Sequence, residues 1–313
     1  MNITMKAKEK IYIGNPPENI GAASSQSRRE EAEKNRKELL LKSSKTNFKY
    51  YCSICLIIRD ESEYLEEWLR WHLGQGVQHF YIYDHGSKYS VEKFVRLLFG
   101  IADKVTVIDW SGPHNNAQPE AYNDCLKRFG AESRWIGFID ADEHVRVKTG
   151  QTLPEFLKSY EEFAGVFAIW VMYNANGQKK KSAASLRQRF PEVSHHNRWA
   201  DRAGKVFVQP LFMKDIVIHN GSAADGFEVV GERKDFVPEY VLVKDNASTD
   251  LICIDHYYTK SYEEWLEKLR RGSGHADFLR KYADFFKYNP DMAYCREEVD
   301  IVQEYEVSSK KTR

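Results

Sequence analysis

The first half of the chain alternates short apolar runs with segments whose apolar residues recur at helical spacing. The apolar runs are rich in Ile, Val, Tyr and Phe and predict four strands, at 51–58, 79–83, 104–109 and 135–140. The segments between them predict amphipathic helices. The first of these carries its apolar face at Tyr64, Leu65, Trp68, Leu69 and His72. Strands and helices in regular alternation are typical of a doubly wound α/β fold with a mostly parallel central sheet.

Polar residues indicate where some of these helices begin. Asp60 is followed three residues later by Glu63, which is the spacing of a capping box, and Thr152 and Glu155 repeat it. Ser261 precedes the last amphipathic helix and is expected to cap it.

The second half has shorter predicted elements. A strand is predicted at 165–172, and a basic, irregular stretch follows at 179–198. Short strands are predicted at 205–208, 216–219 and 251–257. The basic stretch is interpreted either as a solvated loop or as a site for an acidic substrate.

The pattern divides the chain into three parts. Residues 1–46 are polar and predict a flexible or loosely docked extension, with a short charged helix at 28–41. The α/β domain is predicted to span 47–275, with a division near residue 150. Residues 276–313 predict a helical tail.

Composition narrows the class of protein. The 313 residues are 42% hydrophobic and 29% charged, with a formal net charge of zero, which argues against a nucleic-acid-binding protein. No apolar stretch approaches the roughly 18 residues of a membrane span, and no secretory signal is evident. Cys52 and Cys55 lie three apart on a predicted strand and should point to opposite faces, so a shared metal is not expected. These features predict a cytoplasmic protein.

The strongest chemical signal stands at the end of the fourth predicted strand. There an apolar run stops at Asp140, Asp142 and Glu143. Ligands of open α/β sheets bind at the carboxyl ends of strands, and paired aspartates can hold a hard divalent cation and, through it, a diphosphate. On an extended strand the two aspartates would share a face. The alternative is a solvated acidic turn.

Further residues at predicted element ends point to the same region. Asp60, Asp84 and Asp109 follow the other three strands, so the carboxyl edge of the sheet should be polar. His256 is a candidate metal ligand, and Lys260, beside a helix N-terminus, is a candidate phosphate contact. The alternative for His256 is a core histidine beside a helix cap.

Six short motifs occur in an order that resembles a known group of enzymes. They are IIRDE at 57–61, YLEEW at 64–68, GVQHFYIYD at 76–84, AYNDC at 121–125, FIDADE at 138–143 and HYYTKS at 256–261. Together they resemble a glycosyltransferase of the family 92 and family 2-like group. The resemblance covers about residues 51–275.

The resemblance implies a GT-A fold, with a nucleotide-sugar-binding half at 47–150 and an acceptor-binding half at 151–275. It implies that Asp140 and Asp142 form a DxD motif that binds Mn²⁺ or Mg²⁺ beneath the donor diphosphate, and that His256 completes the metal coordination. It also places Arg59, Asp60 and Asp84 near the nucleoside. His85 and Asp60 stand where similar sequences often have Asn, so the base specificity is open.

An inverting transfer also needs a carboxylate to take a proton from the acceptor hydroxyl. In the resembling families this base follows the DxD motif, in the acceptor half. Asp225 is the preferred candidate here, and Glu228 and Glu232 are alternatives.

The resulting hypothesis is a metal-dependent, inverting, hexosyltransferase-like enzyme. Its donor would be a UDP-sugar, and its acceptor a glycan or lipid-linked glycan of surface polysaccharide synthesis, with peripheral association at the inner face of a membrane. A nucleotidyltransferase is the first alternative, although the loop at 59–62 lacks the glycine-rich phosphate loop expected of one. A non-catalytic sugar-binding protein is the second.

Overall fold

The computed structural model describes residues 22–194, 202–238, 248–272 and 280–292. Its centre is a nine-stranded sheet. The strands of this sheet are β1 (Tyr50–Ile58), β2 (His79–Asp84), β3 (Val105–Asp109), β4 (Ser133–Phe138), β5 (Glu143–Val147), β6 (Gly165–Met172), β7 (Gly204–Val208), β10 (Val229–Val230) and β11 (Ile252–His256). A separate two-stranded sheet consists of β8 (Met213–Ile216) and β9 (Gly221–Ala223).

Helices cover both faces of the central sheet. They are α1 (Ala22–Lys45), α2 (Ser62–Gly74), α3 (Val91–Arg96), α4 (Ala117–Phe129), α5 (Leu153–Leu157), α6 (Leu186–Arg189), α7 (Tyr262–Arg271) and α8 (Tyr282–Tyr288). None of these helices combines the length and the apolar character that crossing a bilayer requires.

The strand order is β3-β2-β1-β4-β7-β6-β11-β5, and β10 pairs with β6. β1 is parallel to both β2 and β4, and β2 is parallel to β3. β7 runs antiparallel between β4 and β6, and β5 runs antiparallel to β11. The predicted α/β class with a mostly parallel sheet is confirmed.

The apolar runs form strands because both faces of the sheet are covered. In β1, Ile54 and Leu56 pack into one core cluster while Cys55 packs into the other. Cys52 belongs to the cluster of Ile54, so the prediction that Cys52 and Cys55 point to opposite faces is confirmed.

The edge strand β5 was not predicted from the sequence. Its outer edge is closed by side chains of α2, because Trp71 Nε1 donates to the carbonyl of Val145 at 2.7 Å. Trp68 Nε1 likewise donates to the carbonyl of Glu143 at 2.8 Å, and His72 Nε2 accepts the amide of Val145 at 3.2 Å. Indole and imidazole groups therefore replace the missing neighbouring strand.

The capping predictions met different outcomes. Thr152 and Ser261 form the expected capping boxes. Asp60 does not cap α2, which begins at Ser62 and follows Glu61. Asp60 has a left-handed φ of 53°, and its Oδ1 accepts the amide of Lys88 at 2.7 Å. Its carboxylate therefore joins the loops after β1 and β2 instead of capping a helix.

Two short strands also differ from expectation. The strand predicted at 216–219 is β8, which lies earlier, and Gly221–Ala223, for which no strand was predicted, pairs with it as β9. The pairing draws the segment into a small hairpin outside the main sheet.

The terminal segments pack on the domain where they are described. Helix α1 is longer than predicted and docks on the turn after β9, where Asn35 Nδ2 donates to the carbonyl of Asp225 at 2.7 Å. Gly226 has a φ of 89°, and a Cβ there would lie 2.5 Å from the carbonyl of Ala32, so this contact requires glycine. Near the other end of the chain, Phe285 of α8 packs with Trp265 of α7. Residues 1–21, 273–279 and 293–313, with the predictions made for them, lie outside the described residues.

Candidate active site

The acidic motif forms a turn between two strands. β4 ends at Phe138 and β5 begins at Glu143, so Asp140 and Asp142 lie in the connection and not on an extended strand. The expectation that they share a strand face is therefore wrong. The turn sends the two carboxylates toward different partners.

Asp140 is partly exposed and firmly held. Its Oδ2 accepts from Lys205 Nζ at 2.9 Å, and its Oδ1 accepts from Gln118 Nε2 at 2.7 Å and from the Tyr122 hydroxyl at 3.0 Å. Burial alone would raise the pKa of Asp140, but the ammonium of Lys205 outweighs that effect and lowers the pKa. The carboxylate is thus ionised and oriented.

Asp142 is buried between a lysine and a histidine. Its Oδ2 accepts from Lys268 Nζ at 2.6 Å, while its Oδ1 lies 3.6 Å from His256 Nε2. Burial would raise the pKa of Asp142, yet the ammonium of Lys268 outweighs burial and holds the pKa of Asp142 well below its usual value. Burial also lowers the pKa of Lys268, to about 8.

His256 stands at the end of β11, which returns the chain to the carboxylates. The prediction that His256 lies beside Asp142 is confirmed by the 3.6 Å separation. The ring lies 4.5 Å from the ring of Trp170, and burial lowers the pKa of His256. A neutral imidazole, the form that binds a metal, is therefore favoured.

The donor set fits a divalent cation. Asp142 Oδ1 and His256 Nε2 are not hydrogen-bonded to each other, and their spacing suits two ligands that each lie roughly 2.0–2.3 Å from one ion. Carboxylate and imidazole together suit Mn²⁺. In the described parts of the chain, no three His, Cys, Asp or Glu side chains gather closely enough to form a complete metal site. The remaining ligands would be water or substrate oxygens.

Lys205 and Lys268 are the site residues that the sequence analysis missed. Lys205 is fully buried in β7, and Lys268 lies on the buried face of α7 with Tyr262 and Trp265. A lysine inside an apolar strand, or on the apolar stripe of a helix, is the available signal that it pairs with a buried carboxylate.

Lys260 lies at the turn between β11 and α7. It has a left-handed φ of 53°, and its Nζ lies 3.5 Å from Glu61 Oε1 and 4.0 Å from the centre of the Tyr64 ring. The N-terminus of α7 is occupied by its own capping box, in which Glu264 accepts the amide of Ser261 at 3.1 Å. The structure therefore pairs Lys260 with a residue of the loop after β1.

The predicted nucleoside contacts meet where β1 and β2 end. Asp84 accepts the amides of Ser87 at 2.9 Å and Val91 at 3.2 Å, which orders the loop that follows β2. Burial, and then the charge of Arg59, lowers the pKa of His85, so Arg59 also lies close to this loop. With Asp60 bound to Lys88, these residues form one end of the carboxyl edge.

The candidates for the catalytic base lie in other surroundings. Asp225 is exposed, pairs with Lys214 Nζ at 2.5 Å and sits where α1 docks. Glu232 is buried and accepts three backbone amides, at 250–252. The carbonyl of Glu228 accepts the amide of Ala164 at 2.8 Å. Within the described residues, no hydrogen bond or ion pair joins Asp225 or Glu232 to Asp140 or Asp142.

Comparison with known sequences identifies the family. The profile of glycosyltransferase family 92 matches residues 50–271, which is most of the chain. The chain belongs to glycosyltransferase family 92. This confirms the resemblance found in the motifs.

Several relatives of this family 92 chain are plant proteins. A glycosyltransferase family 92 protein from Ricinus communis is 25% identical over 231 residues, covering 70% of this chain and 37% of that protein. A galactan β-1,4-galactosyltransferase from Arabidopsis thaliana is 28% identical over 137 residues, covering 40% of this chain and 27% of that protein. The match thus spans about a third of the length of these relatives.

Among solved structures, glucosyl-3-phosphoglycerate synthase from Mycobacterium tuberculosis, in complex with Mn²⁺, UDP and glucosyl-3-phosphoglycerate, is 14% identical. It superimposes with a TM-score of 0.29 over 57% of this chain and 62% of its own. This likeness is too weak to bear on function.

Proposed function

We propose that this family 92 chain transfers a sugar from a nucleotide-sugar donor, with a divalent cation held directly by Asp142 and His256 beneath the donor diphosphate and with Asp140 as a ligand through water. The observation that carries the proposal is the 3.6 Å approach of Asp142 Oδ1 to His256 Nε2. It joins residues far apart in sequence at the carboxyl edge of the sheet, where ligands of open α/β sheets bind.

The charges around the site support this role. Departure of a nucleoside diphosphate leaves negative charge, which the bound cation would stabilise as it forms. Lys205 holds Asp140 Oδ2, and Gln118 and Tyr122 hold its Oδ1. Lys268 holds Asp142 Oδ2 and so directs Asp142 Oδ1 toward His256. Lys260, at the same end of β11, is proposed as the phosphate contact.

The loops after β1 and β2 would receive the nucleoside. Arg59, Asp60 and Asp84 are proposed to line its site, since Asp60 and Asp84 already order these loops through backbone amides. UDP is the proposed nucleotide. The proposed acceptor is a glycan or a lipid-linked glycan, and action at the inner face of a membrane stays a prediction.

Asp225 stays a prediction as the base of an inverting transfer. Its side chain is 72% exposed and thus accessible to an acceptor, although its carboxylate pairs with Lys214. Glu232 is a weaker choice because its carboxylate already accepts backbone amides.

Calorimetric titration with UDP, in EDTA and in Mn²⁺, tests the metal-bridged donor site. We expect binding to require the metal, because Asp140 and Asp142 would otherwise repel the diphosphate. A matched control is Asp109→Asn, which alters another aspartate at a strand end; its Oδ1 accepts the amide of Ser111, in its own turn, at 3.0 Å. Equal UDP affinity in EDTA and Mn²⁺ would contradict the proposal.

A further inference from the structure

Two buried polar atoms face one another beside the metal-ligand candidates, and neither has a hydrogen-bond partner among the described residues. They are Glu143 Oε1 and His256 Nδ1, and they lie 3.9 Å apart. Both side chains are buried, Glu143 completely. Because buried polar atoms in folded proteins are nearly always hydrogen-bonded, a facing pair of this kind points to a contact that closes with a small rotation.

The backbone holds these two residues opposite one another. In the antiparallel pairing of β5 with β11, Glu143 is the direct partner of His256. Directly opposed residues project from the same face with Cβ atoms roughly 4.5–5.5 Å apart. The approach of the two side chains thus follows from strand register and does not depend on a loop.

The other oxygen of Glu143 is already anchored. Oε2 accepts the amide of Asp140 at 2.8 Å and lies 3.9 Å from Lys205 Nζ. With Oε2 held, Oε1 is the oxygen left to face the histidine. The Glu143 side chain thereby stands between the backbone of one metal-ligand candidate and the ring of another. Burial raises its pKa, and the ammonium of Lys205 opposes that rise.

The tautomer of His256 decides what its second nitrogen can do. A neutral imidazole carries one N–H. If that N–H is at Nδ1 and donates to Glu143, then Nε2 presents a lone pair toward Asp142 Oδ1. In the metal-free protein Asp142 Oδ1, 3.6 Å from Nε2, competes for the single N–H, but Asp142 is already compensated by the ammonium of Lys268, whereas Glu143 Oε1 has no hydrogen-bond partner among the described residues. Metal-binding histidines commonly donate their other N–H to a carboxylate or a carbonyl, which fixes the ring in this way.

We propose that Glu143 is a positioning residue that accepts a hydrogen bond from His256 Nδ1 and so directs Nε2 of that ring toward Asp142 and a divalent cation. The metal part of this inference rests on the proposed function. The tautomer part does not, because it concerns the metal-free protein.

The test uses Glu143→Gln in the full chain. Glutamine has one oxygen, which the amide of Asp140 would retain, so its NH₂ group would face His256 Nδ1 and favour the Nε2–H tautomer. Selective ¹⁵N-histidine labelling with long-range ¹H–¹⁵N spectra reports the tautomer, and His256→Gln assigns the signals. We expect Nδ1–H in the wild type, Nε2–H in Glu143→Gln, and Mn²⁺ affinity about 10–100-fold weaker by EPR titration.

The matched control is Asp255→Asn. It also removes a buried carboxylate from β11, one residue from His256, but that carboxylate pairs with Arg146 and Arg187. We expect this variant to keep the wild-type tautomer of His256 and Mn²⁺ affinity within about 3-fold, since side chains one apart on a strand face opposite sides.

The outcomes separate this inference from the proposed function. A wild-type protein with the Nε2–H tautomer would overturn the inference, even if Glu143→Gln failed to fold. An unchanged tautomer and unchanged Mn²⁺ affinity in Glu143→Gln would overturn it as well. A wild type with Nδ1–H that bound no Mn²⁺ would uphold the hydrogen bond and contradict the metal site of the proposed function.

Discussion

Two buried charged clusters lie on opposite faces of β11, one residue apart, and they differ in how completely they are hydrogen-bonded. Asp255 accepts from Arg146 Nε at 2.9 Å and Nη2 at 2.7 Å, and from the Tyr173 hydroxyl at 3.3 Å. On the other face, in the cluster of Asp140, Asp142, Glu143 and His256, Glu143 Oε1 and His256 Nδ1 find no hydrogen-bond partner in the part of the chain that the structure describes.

The difference separates a structural network from a site for chemistry. A fully bonded buried network fixes the conformation of its members and leaves no acceptor for a ligand. Asp142 Oδ1 and His256 Nε2 remain available, and Lys268 and Lys205 keep the aspartates ionised. A third cluster, around Glu264, is hydrogen-bonded as completely as the Asp255 cluster, because Arg189 donates to both oxygens of Glu264, at 3.0 and 2.5 Å.

The largest expected effect is on activity, from Asp142→Asn. Replacing the carboxylate should weaken binding of the cation. The kcat of sugar transfer should fall by about 10²–10³-fold, comparable to the loss of one transition-state contact. The isosteric change leaves no cavity, and the buried Lys268, whose pKa burial already lowers to about 8, can lose its proton where an arginine could not, so Tm should fall by only a few degrees. Steady-state assays at saturating Mn²⁺, with Asp109→Asn as control, check this. Near-wild-type turnover would show that the cluster of Asp140, Asp142 and His256 is not the active site.

Substitutions in the Asp255 cluster should instead change the stability of the protein. Asp255→Asn leaves Arg146 and Arg187 without their carboxylate, and we expect the free energy of unfolding to fall by about 3 kcal/mol. Urea unfolding followed by fluorescence measures the change. A loss of Mn²⁺ affinity as large as that of stability would erase the distinction between the two faces of β11.

The contrast also shows what the sequence can and cannot predict. Strands β1, β2, β4 and β6 were predicted because both of their faces are apolar, and that pattern is local. Asp140 and Asp142 stood out because they interrupt such a run. The proximity of His256 to Asp142 was predicted from the family resemblance, which implies that His256 completes the metal coordination, together with the rule that ligands bind at the carboxyl edge of an open α/β sheet.

Other features depend on contacts between distant segments. β5 is a strand because the indoles and imidazole of α2 bond its outer edge, which the sequence at 143–147 does not indicate. Lysine side chains are usually exposed, and only the fold brings the ammonium groups of Lys205 and Lys268 to the carboxylates. Asp60 had the spacing of a cap, but the loop after β2 competes for its carboxylate.

An intermediate effect should appear on acidification of the Glu264 cluster. Hydrogen bonds and charge from Arg189, Ser261 and Tyr64 outweigh burial and lower the pKa of Glu264 to about 2. The stabilisation is therefore complete above the ordinary pKa near 4.5 and is lost as pH falls toward 2. Glu264→Gln should remove on the order of 2 kcal/mol of unfolding free energy at pH 7.

Denaturant titrations at pH 7 and between pH 4.5 and 3 measure this difference. The gap in unfolding free energy between wild type and Glu264→Gln should narrow as pH falls, because the wild-type carboxylate becomes protonated. A gap that stays constant over this range would mean that the cluster is held by packing and not by the ionised carboxylate.

The smallest expected effect concerns Arg187, the more exposed arginine of the Asp255 cluster. Arg187 Nη1 lies 3.4 Å from Asp255 Oδ2, whereas Arg146 binds the same carboxylate through two nitrogens, and Arg187 also stacks 4.0 Å above the Trp71 ring. Arg187→Lys keeps the charge and much of the stacking, so it should cost about 0.5–1 kcal/mol. Arg146→Lys, which breaks the two-pronged contact, should cost more. Parallel urea titrations rank the two variants. The reverse order would show that the stacked arginine, and not the bidentate one, is the main partner of Asp255.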